Sequence, residues 1–475
     1  MPEIPCRGFR YVFFSVFMKY IHWLLFSTLC GLFLFMFMDS LAYLFPYHEQ
    51  QQLFLFTRSY LDVYLSEPGK VGQYIANFVT QFFYWPFAGK LLLALLLSGL
   101  YLLPSLTVRR LTGKSDPLHL ALLPSLYLFI RFERPDFEIS EIVSLFCVFV
   151  CTGLLALLPR RFFYYALCPC LLACGFVFGW IGAVAAFIVL ALAAFSAYML
   201  SGGMNGKIYK YVTAVSLCLY ASFTFHAFVK NYDMRERLLI EADHYTRRHE
   251  WEKVIVCAKR YRGESQLMDY FLNMALYHTE RMPYDLLDYR QSFGPGSLFL
   301  PWTGNPRLCK YGYYLYEQLG YINEAQHWAF EALVVYGETA PILSDLIRYN
   351  IVIGRPEVAR RFIRVLKESL FYKELAEEYE KMVPTGQVKG LNVIPFHGEG
   401  RARFIHMQDL TSELVFICDQ DPSNRMAFEY LMSSLILSNK PKAFAENLPR
   451  IKSFSYPEMP SLYQRMLDRN KLMQP

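Results

Sequence analysis

Two short stretches of this 475-residue chain concentrate its chemically able side chains. The first is Phe45-Pro46-Tyr47-His48-Glu49-Gln50-Gln51-Gln52, where an imidazole sits beside a carboxylate, residue types suited to general acid–base work. The second is Arg131-Phe132-Glu133-Arg134-Pro135-Asp136-Phe137-Glu138, with five charges in eight residues. Each has a plain reading too: Glu49 as an exposed acid in a wet loop, and 131–138 as a solvated hairpin. His327 and Glu331, four apart, read as a surface pair on one helix face. Cys168, Cys170 and Cys174 lie in an apolar segment with Pro169 and no nearby His or acid, so no metal site is expected there. No phosphate loop, dinucleotide fingerprint, zinc-protease helix or nucleophile elbow is present.

The segments that would position these residues are strongly apolar. The chain is 54% hydrophobic and 19% charged, with net charge +6, and the charge is uneven. Residues 1–230 hold 16 Lys/Arg and 10 Asp/Glu, which leaves 31 of each for the remainder. The first part therefore carries the excess of six positive charges, and a fully soluble enzyme, a disordered chain and a general nucleic-acid binder are excluded. Apolar runs at 20–46, 88–106, 117–131, 139–158, 162–179, 181–200 and 209–230 predict about seven membrane spans. The first reads as a signal anchor, and Asp39 and His226 are the ionisable groups singled out within the runs. Arg7, Arg10 and Lys19, then Arg109, Arg110 and Lys114, Arg160 and Arg161, and Lys207 and Lys210 all fall on one side if seven spans are counted. By the positive-inside rule the N-terminus is cytoplasmic and everything after about 231 lies outside the cytoplasm. The 41-residue loop 47–87 then faces outward, and Val71–Val79 with its aromatics predicts an interfacial helix.

From residue 233 the pattern becomes amphipathic helices of 12–16 residues, broken at 293–307 and 383–407. Gly320 and Gly354 are 34 apart, as are Ala325 and Ala359, and Tyr316 precedes the first of these turns. An earlier copy places Ala242, Tyr245, Trp251 and Ala258 in matching slots, with His249 where the turn glycine would stand. Residues 231–382 thus resemble tetratricopeptide repeats, with 383–408 as a linker and 409–475 as a helical hairpin whose last helix caps the array. The fold expected is all-α: a transmembrane bundle over 1–230, then an extracytoplasmic tetratricopeptide-like solenoid.

The layout of the first part resembles membrane glycosyltransferases of the C-type fold, which use polyprenyl-phosphate sugar donors. That resemblance implies Glu49 as general base, Asp136 or Glu138 orienting a divalent metal or the acceptor, and Arg131 or Arg134 holding the donor phosphate. Here Glu49 is flanked by His48 and Gln50, where those enzymes present paired acids. The whole chain also resembles uncharacterised multi-span proteins of Bacteroidota with C-terminal helical repeats, which brings no activity. The leading expectation is an inner-membrane protein that presents a periplasmic scaffold to a protein or peptide, without a cofactor and without nucleic acid. The lipid bilayer is its other partner. A lipid-linked sugar transferase is the alternative.

Overall fold

The computed structural model describes residues 6–200, 204, 206–302, 305–391, 393 and 410–472, and only the backbone of 6–19 and 206. The side chains of Arg7, Arg10 and Lys19 and most of the 383–408 linker lie outside the described residues. Among those residues the structure is all helix and turn, in two compact units, Met1–Tyr232 and Asp233–Pro475.

The N-terminal unit contains α1 (Cys6–Met38), α2 (Leu44–Glu49), α3 (Arg58–Leu65), α4 (Val71–Thr80), α5 (Pro86–Thr112), α6 (Leu122–Phe132), α7 (Ile139–Leu155), α8 (Arg160–Phe178), α9 (Trp180–Met199) and α10 (Gly206–Asn231). Among the described residues five helices are long and apolar enough to cross a membrane: Tyr20–Met38 of α1, α5, α8, α9 and Lys207–Asn231 of α10. Only α5 is buried over most of its length, packed on α1, α6, α7 and α9. The others turn large apolar side chains outward, with Tyr165 82% and Ile181 89% exposed. Helices that are apolar on every face belong inside a core or in lipid.

Five is fewer than the seven expected from hydropathy, and the difference lies in α6 and α7. At 1.5 Å per residue, the 11 residues of α6 reach about 16 Å and the 17 of α7 about 25 Å, short of the roughly 30 Å of hydrocarbon. The apolar run beginning at 117 is not helical from its start. Asp116 accepts from the amides of Leu118 (2.9 Å) and Leu120 (2.6 Å) and from Ser196 Oγ (2.5 Å). Thr213 and Tyr220 donate to the carbonyls of Pro117 and Leu118. Those bonds replace a helical ladder, and helix begins only at Leu122. Non-helical backbone in an apolar bundle requires this kind of satisfaction by neighbouring side chains. The whole stretch 115–132 nevertheless runs beside α1, from the His22–Ser115 contact (3.2 Å) to the Phe37–Phe132 rings (5.4 Å).

A helix forms at 71–80, where an interfacial helix was expected, with Gly72, Ala76, Asn77 and Thr80 buried on the face that packs on α7. A Cβ at Gly72 would come within 2.0 Å of Ser144 Oγ, so glycine there is what allows the close approach. The neighbouring α3 has no buried residue and exposes Val63 and Leu65.

The C-terminal unit contains α11 (Met234–Arg247), α12 (Trp251–Arg260), α13 (Gln266–His278), α14 (Met282–Asp285), α15 (Pro306–Cys309), α16 (Tyr313–Gln318), α17 (Ile322–Tyr336), α18 (Ala340–Val352), α19 (Pro356–Lys367), α20 (Lys373–Met382), α21 (Leu410–Gln420), α22 (Arg425–Leu437), α23 (Pro441–Asn447) and α24 (Ser461–Leu472). One turn recurs five times. After α11, α13, α16, α18 and α22, a residue with positive φ stops the helix: His249, Glu280, Gly320, Gly354 and Asn439. In each case the next amide reaches back five residues: Glu250 to Tyr245, Arg281 to Leu276, Tyr321 to Tyr316, Arg355 to Asn350 and Lys440 to Leu435, at 2.8–3.0 Å. This six-to-one bond is the Schellman closure, which satisfies an otherwise orphaned carbonyl and reverses the chain. Glycine takes that conformation without penalty, whereas His249 does not. Changing His249 to Gly is therefore expected to raise stability by about 0.5–1 kcal/mol, and Gly320 to Ala to lower it by about 1–2 kcal/mol. Paired thermal-unfolding curves on the full chain would check both signs.

The hairpin after α13 has only the four-residue α14 as its second member. Its place is filled by the C-terminal helices: α22 packs on α13's neighbours 294–297 and α14, and α24 on α14. Arg425 pairs with Glu280 (3.1 Å), and Asn424 donates to the Leu319 carbonyl (2.9 Å). Residues 410–472 thus pack beside the 266–320 helices. The 293–307 break also folds inward. Leu298 and Leu300 are buried, Asn273 donates to the Ser297 carbonyl (2.9 Å), and Trp302 stacks on His327 at 4.8 Å.

Candidate functional site

α2, α3, α4 and the turn Gln81–Tyr84 gather at the end of the N-terminal unit that also carries the 133–138 loop. There a cavity of about 230 Å³ is walled by His48, Gln51, Asn77 and Thr80 on one side and by Asp136, Glu138 and Ser140 on the other. The two stretches singled out in the sequence thus meet at one cavity, 88 residues apart from His48 to Asp136.

The individual roles are distributed less simply. Glu49 is buried as the last residue of α2, but it is not on the cavity wall; its neighbour His48 is. The His48 ring stacks on Phe132 (5.4 Å), and burial lowers its pKa to about 4, so the imidazole is neutral at pH 7. Asp136 is mostly exposed and held in an Arg134 fork, Nε to Oδ1 at 3.0 Å and Nη2 to Oδ2 at 2.8 Å. Those hydrogen bonds keep the Asp136 carboxyl below the usual carboxylate range. Arg131 pairs with Glu141 (3.2 Å), and Glu138 accepts from Ser140 Oγ (3.0 Å). Both arginines assigned to a phosphate by the transferase resemblance therefore already donate to carboxylates of this chain. Among the described residues no three His, Cys, Asp or Glu side chains are placed to share a metal ion, and Asp136 with Glu138 forms no such group.

Glu133 is the residue that sequence reading passed over. It is 3% exposed, and neither carboxyl oxygen has a hydrogen-bond partner among the described residues. Burial pushes its pKa up to about 8. A signal for it exists in the sequence: Leu122, Leu126 and Phe129 mark the inward stripe of α6, and one further helical step lands on Glu133. Buried acids with perturbed pKa values cluster at functional sites.

A second polar cluster was also missed, at the opposite end of the unit. His22 Nδ1 and His119 Nδ1 both meet the Tyr101 hydroxyl, at 3.0 and 3.1 Å, and all three residues are buried. Because the hydroxyl has one proton, it donates to one imidazole and accepts from the other. This chain ties α1 and α5 to the unwound segment before α6.

In the C-terminal unit, the repeat-pattern residues occupy helix contacts and turns. Ala242, Ala325 and Ala359 are fully buried, and Tyr316 is 3% exposed. Gly320 and Gly354 share φ near +76°. Tyr245 and Ala258 are half-buried, and Trp251 stacks flat on His278 (4.1 Å). His327 lies 3.9 Å from Glu331 and 3.6 Å from the buried Glu324.

Fold and site together define an all-helical, two-unit protein with an apolar helix bundle and a polar cavity at one of its ends. The chain belongs to the DUF6057 family, described as a family of unknown function, whose model matches residues 16–231 and 204–467. No curated protein and no solved structure matches it.

Proposed function

We propose that this chain is an integral protein of a bacterial inner membrane whose C-terminal unit is a periplasmic helical-repeat scaffold for a protein or peptide in envelope biogenesis. The observation that carries this reading is the five-fold recurrence of the Schellman turn with helices packed in sequence, the local grammar of a tetratricopeptide-like array. The first helices of three hairpins, α11, α16 and α18, are tied together by Arg247, which donates to Tyr313, and by Arg348, which pairs with Glu317, so the array is held in register by a paired, mostly buried network. Counting 115–132 and α7 as traverses gives seven crossings; leaving both out gives five. Both counts are odd, which puts the two termini on opposite faces, and the basic clusters at 109–114, 160–161 and 207–210 support a cytoplasmic N-terminus and a periplasmic C-terminal unit.

The cavity shared by His48 and Asp136 favours a second reading, a lipid-linked sugar transferase acting at that end with Glu49, Asp136 or Glu138 handling the acceptor proton and a divalent metal as a further option. One experiment separates the two: hydrogen exchange on the full chain in nanodiscs, with peptides selected for binding to it. The scaffold reading expects protection across 234–382. Failure to select any binder, or protection confined to 44–52 and 131–140, counts against it, and a changed envelope glycan in cells carrying Glu49→Gln would favour the transferase.

A further inference from the structure

Glu133 ends α6 on the stripe of Leu122, Leu126 and Phe129, which directs it into the bundle and away from the charged loop that follows. Its neighbour Phe132 packs on Phe37 (5.4 Å), Phe45 (5.6 Å) and Phe137 (6.4 Å) and beneath the His48 ring. The rings around Phe132 supply hydrocarbon on that side, and the charged groups on the adjoining elements are engaged elsewhere or, like His226 and Lys230 of α10, exposed. On α6 and α7, Arg131 pairs with Glu141; in the loop, Arg134 pairs with Asp136, and Glu138 takes Ser140. Lys90 of α5 lies over the Phe45 ring at 5.9 Å, and Asp39 at the end of α1 accepts from Ser40. On α2, Glu49 and neutral His48 are buried, and neither is ion-paired to Glu133 among the described residues. An ionised carboxylate with neither a donor nor a cation beside it is not tolerated in such a place.

We infer that Glu133 is a proton-binding site of the N-terminal unit, loaded in the conformation described and emptied when α2 and the 131–138 loop separate to admit water. The linkage has a definite sign. In the closed form the carboxyl keeps its proton up to about pH 8, and once solvated it loses it near the ordinary 4.5. Between these values the open form binds fewer protons, so rising pH favours opening, by up to tenfold per pH unit. Closure is strongest below the ordinary value, and the effect levels off above about pH 8. A proton-controlled cap over the His48–Asp136 cavity follows, whichever molecule that cavity serves; this inference does not rest on the scaffold reading.

Hydrogen exchange on the full chain in nanodiscs, corrected for the chemical exchange rate, tests it. Peptides spanning 44–52 and 128–140 should open up to tenfold more per pH unit between about pH 5 and 8. The isosteric Glu133→Gln variant, a mimic of the protonated acid, should stay closed and flat across that range. An infrared carboxylic C=O band present at pH 6.5, lost above pH 9 and absent from Glu133→Gln, should accompany this. Equal slopes in wild type and variant would overturn the inference. So would wild-type opening that does not change from pH 5 to 9, which decides the matter even if the variant does not fold.

Discussion

Replacing Arg247 by methionine is expected to destabilise the C-terminal unit by about 3–5 kcal/mol, the usual cost of removing one partner from a buried ionic group. Arg247, in the last turn of α11, donates Nε to Asp243 (3.3 Å) and Nη2 to the Tyr313 hydroxyl (3.0 Å). Its Nη1 lies 3.9 Å from Asp345 on α18, and its guanidinium lies over the Tyr314 ring at 5.0 Å. One side chain thus joins α11, α16 and α18. The acids it serves are 7% and 12% exposed, so water cannot replace it. Each acid keeps one good partner: Tyr314 donates to Asp243 (2.6 Å) and Arg348 to Asp345 (2.9 Å). That residual pairing is why the cost stays within the stated range. At about 2–4 °C per kcal/mol for a unit of this size, the thermal midpoint should fall by roughly 6–20 °C. The double variant Arg247→Met with Asp243→Asn should be less destabilised than the sum of the single changes, because no unpaired charge remains at 243. Near-UV circular dichroism melts of the four proteins in detergent give the cycle directly. An Arg247→Met melt within a degree or two of wild type would mean that the network is ornamental and that packing alone aligns the three helices.

What could be read from the sequence depended on whether a residue type forces its own conformation. The step in charged fraction falls at 231, and Asp233 begins α11 by accepting from the amides of Arg235 (2.9 Å) and Glu236 (3.3 Å). All-helical architecture was legible because the apolar periods were long and few turn residues interrupted them. Gly320 and Gly354 exposed the 34-residue period, since glycine is the residue that enters positive φ freely. Glu280 and Asn439 make the same turn but announce nothing, and the four-residue α14 has no period to detect. Hydropathy failed at 117–131 for a related reason: it counts apolar side chains and is blind to whether their backbone is helical. Gly72 and Ala76 signalled close packing of α4, and Tyr74 and Phe78 on the same helix drew the reading toward an interface. In the site, pairing of the 45–52 and 131–138 stretches could be guessed from their residue types. The inward turn of Glu133 was signalled only by its place on the Leu122, Leu126 and Phe129 stripe, and that signal was masked because an acid between two arginines is ordinarily assigned to water.

The N-terminal unit makes an equally sharp prediction at its unwound segment. Asp116→Ala should cost on the order of 3–9 kcal/mol, taking 1–3 kcal/mol for each of three donors deprived of its acceptor. The donors are the Leu118 and Leu120 amides and Ser196 Oγ, and Ser196 is itself buried on α9. In an apolar bundle these groups have no water to turn to, so the segment must either refold as helix or leave its place. Pro117 limits the first course, because a helix extended back from Leu122 could begin no earlier than Pro117 and would leave 115–116 outside it. Asp116→Asn retains one acceptor oxygen and should lose about half as much, whereas Asp39→Ala, which removes an exposed acid with a single Ser40 contact, should be nearly neutral. Unfolding of the full chain by added SDS, followed by tryptophan fluorescence, ranks the three variants. A further consequence separates loss of an anchor from general damage. Leu122, Phe129 and Phe132 lie against α1 only if 116–121 is held, and they carry Glu133 to its buried position. In Asp116→Ala the pH-dependent opening of 128–140 should therefore flatten at temperatures where α5 and α7 remain fully protected, because Glu133 would already be in water.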